Sequence, residues 1–341
     1  MLNSFVAEGL AGKVRLVYAD PPYNTGEALR GPYNDRRTTH EWRQLLTDVV
    51  SRCRSLLRAD GSLWLHINDR QLGVARSICD DIFGEGNYCG TIAWERTRNP
   101  SYLHKQLAST LDFILVYGRS RTSLRPFTAS VTETNKRVPL AHRGNRVVDL
   151  SFPARKVKFN CSDGVYPPGD HSTPGIDAKL LDAVEVQNGE NLSAFRLSLP
   201  SRYSPLRVQE MLEEGASFLI PKFPFRPSYI RKGGDPKIIR TLWTWQSDPG
   251  MPTNEDAYKE QKDLFDVPFR YAKPTGLIRR IIEVATDPQD IVLDPFGGSG
   301  TTAVAAIQTG RSYLIVEDQA QLITGYITPR IRAATANVSS V

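Results

Sequence analysis

The chain has 341 residues, 40% of them hydrophobic and 23% charged, which is enough apolar content to bury a main domain plus an insertion and too much for a disordered chain. Its longest apolar runs, such as Leu111 to Tyr117 and Tyr313 to Val316, are far too short to cross a bilayer, and no basic-then-apolar leader opens the sequence. A cytoplasmic protein with no membrane partner is therefore expected. Its net charge of +6 suits a polyanionic partner, while Cys53, Cys79, Cys89 and Cys161 lack CxxC spacing and are expected as buried free thiols, with no metal site.

Val14 to Ala19 is a short β-type run ending at Asp20. From His40 to Leu57 apolar residues recur at helical spacing (Trp42, Leu45, Leu46, Val49, Val50, Cys53), and Asp60-Gly61 is expected to stop that helix. Ser62 to Ile67 reads as the next strand, Gln71 to Phe83 as the next helix and Leu111 to Tyr117 as a further strand, an alternation that points to a parallel sheet. Between about Ser120 and Pro268 the pattern weakens, with turn signals at Tyr166-Pro167-Pro168-Gly169 and Lys232-Gly233-Gly234-Asp235, as expected of an insertion. From Arg119 to Trp245 there are 20 Lys plus Arg against 12 Asp plus Glu, so this stretch carries +8 and the rest −2. Aromatics stand among these basic residues (Phe223, Phe225, Tyr229, Trp243, Trp245), a mixture suited to phosphate contact plus base stacking. Alternation then resumes with a helix from Thr275 to Thr286, a strand from Ile291 to Leu293, a helix from Thr301 to Gln308 and a strand from Tyr313 to Val316.

Two motifs carry the chemistry. Asp294-Pro295-Phe296-Gly297-Gly298-Ser299-Gly300-Thr301 leads from a buried strand through a glycine turn into a helix, a geometry that lets backbone approach a ligand closely. No Gly-Lys-Ser/Thr follows, so a phosphate cradle is disfavoured. About 20 residues further on, Glu317 follows a strand, where its carboxylate could accept both hydrogen bonds of a ribose diol, which suits an adenosine ligand.

The second motif, Asp20-Pro21-Pro22-Tyr23-Asn24-Thr25-Gly26, directly follows the first strand. Methyl transfer to an aromatic amine requires the nitrogen lone pair, which is delocalised into the ring, to be drawn back toward sp³. Two acceptors on the two N–H groups do this: a carboxylate from Asp20 and a main-chain carbonyl, that of Pro21, held by the stiff Pro-Pro unit. Tyr23 would stack on a base flipped out of its duplex.

Together these residues resemble the DNA amino-methyltransferases, and the order of the motifs is similar to the permuted beta class, notably the modification subunits of type III restriction systems. The resemblance runs through Ala19 to Gly26, Asp60-Gly61-Ser62, His66-Ile67-Asn68-Asp69 and Ile92-Ala93-Trp94, and resumes at Lys273-Pro274-Thr275 and Asp294 to Thr302. It implies an α/β fold, a doubly wound, mostly parallel, Rossmann-like sheet with an inserted recognition domain, in which both motifs meet at a switch point. S-adenosylmethionine is the implied cofactor, held by Asp20, Lys273, Pro274, Thr275, Asp294, Phe296, Gly297, Gly298, Ser299, Gly300, Thr301 and Glu317. Lys273 would lie beside the methionine carboxylate. Catalysis would fall to Asp20, Pro21, Pro22 and Tyr23.

Adenine-directed members usually begin the motif with Asp and cytosine-N4 members with Ser, so Asp20 favours adenine N6. The alternatives are cytosine N4 or an inactive DNA-binding subunit. His66, Asn68 and Asp69 stay outside the core assignment, because a solvated strand end accounts for them equally well. The expected organisation is a catalytic half at 1–119, target recognition at 120–268, a cofactor-binding half at 269–332 and a flexible tail at 333–341. Double-stranded DNA is the expected partner, with a second copy of the chain and a restriction subunit as protein partners and a nucleoid-associated location.

Overall fold

A computed structural model of the chain describes residues 2–24, 37–99, 106–221, 225–247 and 250–338. The fold divides into two compact units, one built from Met1–Ala129 together with Ile238–Val341, the other from Ser130–Lys237.

In the first unit, strands β1 (Val14–Ala19), β2 (Leu57–Asn68), β3 (Tyr88–Glu95), β4 (Leu111–Gly118), β5 (Leu242–Trp243), β6 (Ile291–Asp294) and β7 (Ser312–Ile315) form one sheet in the order β5-β3-β4-β2-β1-β6-β7. β4 runs antiparallel to both neighbours, and the other pairings are parallel. Its longer helices are α1 (Thr39–Leu56), α2 (Asp69–Phe83), α3 (Asn254–Lys262), α4 (Thr275–Ala285), α5 (Thr301–Gln308) and α6 (Thr328–Val338). The chain winds outward from β1 through β2 on one side and from β6 through β7 on the other, so the switch point lies between β1 and β6. This is the doubly wound sheet expected from the sequence.

All six residues of β1 are buried because both faces of the sheet are covered. Val17 and Ala19 pack with Trp42, Leu46 and Val50 of α1 and Ala75, Ile78 and Cys79 of α2. Leu16 and Tyr18 pack on the opposite face with Leu277, Ile278, Ile281 and Ile282 of α4 and Ala305 and Ala306 of α5. Arg15 is buried with them and is neutralised by Asp60 and Asp290, as a buried charge requires. A capping box between Thr38 and Glu41 fixes the start of α1.

Several expectations need correction. The first helix ends at Leu56, and Asp60-Gly61 lies inside β2, where the register against β1 shifts between Val14 and Leu16. A Cβ on Gly61 would come within 2.9 Å of the Val14 carbonyl oxygen, so the irregularity itself requires glycine there. Residues 120–129 and 238–268 belong to the first unit, so the insert is shorter than 120–268. Helix α6 runs through residues 333–338, where a flexible tail was expected to begin. Cys53 and Cys79 are buried, but Cys89 and Cys161 are only half-buried; all four are free. No helix among the described residues is long and apolar enough to cross a membrane.

The second unit is β-rich. One seven-stranded sheet includes Val157–Phe159, Val184–Gln187, Ser217–Ile220 and Ser228–Ile230, and a four-stranded sheet includes Val147–Phe152 and Phe195–Pro200. Phe152, Phe195, Phe218 and Phe225 fill its core with Val208, Met211 and Leu212 of the helix Pro205–Glu213. Phe225 therefore packs inside, and Trp243 is buried in the first unit, so neither offers a stacking face; Tyr229 is half-buried, Trp245 exposed, and Phe223 lies outside the described residues. With the observed boundaries the insert has 16 Lys plus Arg against 12 Asp plus Glu, a surplus of +4 beside +2 for the rest, so the charge is less concentrated than expected.

Candidate active site

The carboxyl ends of β1, β2, β6 and β7 open onto one cavity of about 950 Å³ in the first unit. Asp20, Pro21, Pro22 and Tyr23 line it from the end of β1, and Asp294, Phe296, Gly297, Gly298, Ser299 and Thr301 from the end of β6. Lys273 and Glu317 line it as well. Parallel pairing of β1 with β6 (Val17 opposite Leu293) makes neighbours of two motifs far apart in sequence.

Each motif is braced by its own hydrogen bonds. Tyr23 Oη donates to Asp20 Oδ1 at 2.8 Å. Burial, reinforced by the Asp20 and Asp112 charges, pushes the Tyr23 phenol well above its ordinary pKa, so it stays a donor. The indole N–H of Trp42 on α1 donates to the Pro22 carbonyl at 2.6 Å, which clamps the turn to the helix that follows it. Among the described residues none donates to the Pro21 carbonyl, which leaves that oxygen available as an acceptor.

In the glycine turn Asp294 accepts from Phe296 N at 2.9 Å and from Thr302 Oγ1 at 2.5 Å. Burial pushes this carboxyl up to about 7, against the pull of those two hydrogen bonds. Gly298 has φ +50°, and a Cβ there would meet only the Phe296 carbonyl oxygen at 3.7 Å, so its open side faces the cavity. Glu317 takes Gly298 N at 2.8 Å on one oxygen and Asp318 N and Gln319 N on the other, while burial raises its pKa.

Lys273 pairs with the Asp20 to Tyr23 turn: its Nζ lies 3.0 and 2.8 Å from the two oxygens of Asp20 and 4.9 Å above the Tyr23 ring. The fold thus brings twelve of the fifteen expected site residues to the cavity wall, and Pro274, Thr275 and Gly300 fall outside it. Thr275 starts α4 and gives its N–H and hydroxyl to Glu260, Pro274 caps that helix, and Gly300 at φ +78° caps α5, where a Cβ would press on Ile327 at 3.1 Å. Thr25 and Gly26 lie outside the described residues.

Other residues at the site lie outside the core set expected from the motifs. Asn68 and Asp69 line the cavity although they were set aside, and Asn68 also caps α2 by accepting from Gln71 N. Tyr18, Arg96 and Asp112 line it from β1 and from the edges of β3 and β4. Tyr18 Oη and His66 Nδ1 share a hydrogen bond of 2.9 Å, and His66 Nε2 faces Asp112 at 3.6 Å, too far for a hydrogen bond. Burial, then the Lys273 charge, lowers the His66 pKa and keeps the ring neutral near pH 7. Arg330, 3% exposed, donates to Ser299 O, Thr301 Oγ1 and Thr275 Oγ1 and thereby ties the glycine turn to the start of α4. One of two arginines in a short helix, Arg330 beside Arg332, gives no sequence signal for such a role.

Residues 14–327 match the family model described as DNA methylase, the N6 and N4 methyltransferases. The chain belongs to this DNA methylase family. Its relatives include the Mod subunit of the type III restriction-modification enzyme StyLTI of Salmonella typhimurium, 27% identical over 87% of this chain and 47% of that protein. The EcoP15I Mod subunit of Escherichia coli is 24% identical over 89% of this chain and 53% of the relative. The type II methyltransferase M.KpnI of Klebsiella pneumoniae is 26% identical over 85% of this chain and 70% of its own length. The chain spans about half the length of the two type III relatives.

Proposed function

We propose that the chain transfers a methyl group from S-adenosylmethionine to the exocyclic amine of a base flipped out of double-stranded DNA, adenine N6 in preference to cytosine N4. One observation carries the reading: the Asp20 to Tyr23 turn and the Asp294 to Thr301 turn leave adjacent strands and face one cavity large enough for a nucleoside cofactor beside a base.

The residues present fit the cofactor. The open side of Gly298 and the backbone of Gly297 and Ser299 allow close approach, Phe296 offers an apolar face, Glu317 an acceptor for a ribose diol, and Lys273 a cation for a carboxylate. When bound, S-adenosylmethionine supplies an electrophilic methyl group. The chain's own part is positional: Asp20 and the Pro21 carbonyl accept the two N–H groups of the target amine and turn its lone pair out of the ring plane. Tyr23 supplies the stacking face, and Trp42 holds the turn in register. Proximity, orientation and fixed charge account for the rate, and no covalent enzyme intermediate is required.

Asp20 at the head of the motif supports adenine over cytosine. The insert supports DNA contact through a groove lined by Lys136, Arg137, Arg202, Arg231 and Lys237, with Glu133 as its acidic member. A restriction subunit and a second copy of the chain are the protein partners proposed, the former on the names of the type III relatives.

Expression in a methylation-free host, with modified bases mapped by single-molecule sequencing and nucleosides identified by mass spectrometry, tests the reading. N6-methyladenine at one recurring sequence is expected. N4-methylcytosine would change the base, and unmodified DNA would refute the activity. Asp20→Ala should abolish methylation with S-adenosylhomocysteine binding retained, and turnover by that variant would refute the role given to Asp20.

A further inference from the structure

The ammonium of Lys273 stands where the target amine is proposed to go. It contacts both oxygens of Asp20, at 3.0 and 2.8 Å, and lies 4.9 Å above the ring of Tyr23, on which the base is proposed to stack. Its side chain is 10% exposed and that of Asp20 21%, so the pair is little screened by water. A full positive charge at that distance cancels the field with which Asp20 would attract an N–H group. The backbone of Lys273 is fixed, since its carbonyl accepts from Thr301 Oγ1 at 3.2 Å and Pro274 follows as the cap of α4. Only the four-carbon stem is left to move, and a buried ammonium leaves one anion only for another.

Resting on the methyltransferase reading, we propose that Lys273 is a positioning residue: it keeps the acceptor subsite closed by holding Asp20, and it opens the subsite when the carboxylate of the cofactor's methionine draws its ammonium away. Base capture then depends on cofactor binding, and by reciprocity the base tightens the cofactor by the same factor. A ligand without the carboxylate has nothing to offer Lys273 and leaves the subsite closed. Order of binding is thereby written into one side chain.

The test uses the full chain and two probes, S-adenosylhomocysteine and 5′-methylthioadenosine, which keeps the nucleoside and thioether but lacks the amino-acid part. The acceptor is a duplex carrying the mapped target sequence with adenine kept at the target position and 2-aminopurine beside it, so that duplex affinity and the emission of the unstacked neighbour report base capture. For the wild-type chain, S-adenosylhomocysteine should raise duplex affinity about tenfold or more, and 5′-methylthioadenosine by less than about twofold. In Lys273→Met the two probes should act alike, and the duplex should already bind and emit without either. The inference is overturned if 5′-methylthioadenosine opens the wild-type site as well as S-adenosylhomocysteine does, a comparison that needs no variant. It is equally overturned if Lys273→Met keeps the wild-type difference between probes, which is what a purely structural lysine would give. Failure of the underlying reading looks different: S-adenosylhomocysteine would not bind the wild-type chain and no base would be modified.

Discussion

Two side chains show how single residues set this site. Trp42 reads in the sequence as one more apolar position of a helix, yet its indole N–H is spent on the Pro22 carbonyl. Trp42→Phe keeps most of the apolar volume and orphans that carbonyl, at a cost of about 1–3 kcal/mol. A lower melting temperature and roughly a tenfold loss of kcat are expected, since about 1.4 kcal/mol of lost positioning is a factor of ten. Cofactor affinity should change little, and an unaltered kcat would remove Trp42 from the catalytic frame. Asp294 makes a pH prediction. Its carboxyl ionises at about 7 in the folded chain against an ordinary 3.8. Between those values the folded state holds more protons than the unfolded, so stability falls as pH rises through that window; the contribution is complete below about pH 4 and gone above about pH 8. Asp294→Asn cannot ionise and should flatten the decline in melting temperature between pH 4 and 7, and a variant with the wild-type slope would exclude Asp294 as its source.

At the level of elements, the glycine turn between β6 and α5 is built against its neighbours. A Cβ on Gly297 would lie 2.4 Å from Ile315 Cγ2 and 3.3 Å from the Val316 carbonyl oxygen. Gly297→Ala should therefore cost about 1–3 kcal/mol through overpacking and displace the turn. Calorimetry with S-adenosylhomocysteine should show weaker binding, and an unchanged affinity would mean that the turn does not hold the cofactor. The elements legible in the sequence were those with a sustained period: the six-residue run of β1, the helical spacing of α1 and α2, and the strand, turn and helix of β6 and α5. The insert was not legible because its strands are two to six residues long, so the alternation that some of them show, as in Val184–Gln187, is too short to stand out. Helix α3 escaped notice because its exposed residues are charged apart from Tyr258 and only Ala257 and Gln261 are buried. Motif reading expected Asp20, Tyr23, Gly298 and Glu317 together, and all four line one cavity, whereas Pro274, Thr275 and Gly300, expected with them, lie outside its wall. The Lys273–Asp20 pair spans 253 positions and leaves no local trace.

For the molecule as a whole, the central strands β1 and β6 come from opposite sides of the insert in sequence, and they are hydrogen-bonded neighbours under shared helical layers. Covalent continuity through residues 130–237 is then not what keeps the sheet closed. Produced as two separate polypeptides, 1–129 and 238–341 should find each other, copurify and bind S-adenosylhomocysteine together, whereas either alone would expose the apolar edge of a broken sheet and aggregate. Failure to copurify would mean that the tether supplies more than proximity. If the halves do assemble, the protein is in effect a heterodimer with its subunits joined by a replaceable bridge, and protease damage to that bridge would spare the cavity that the two motifs line.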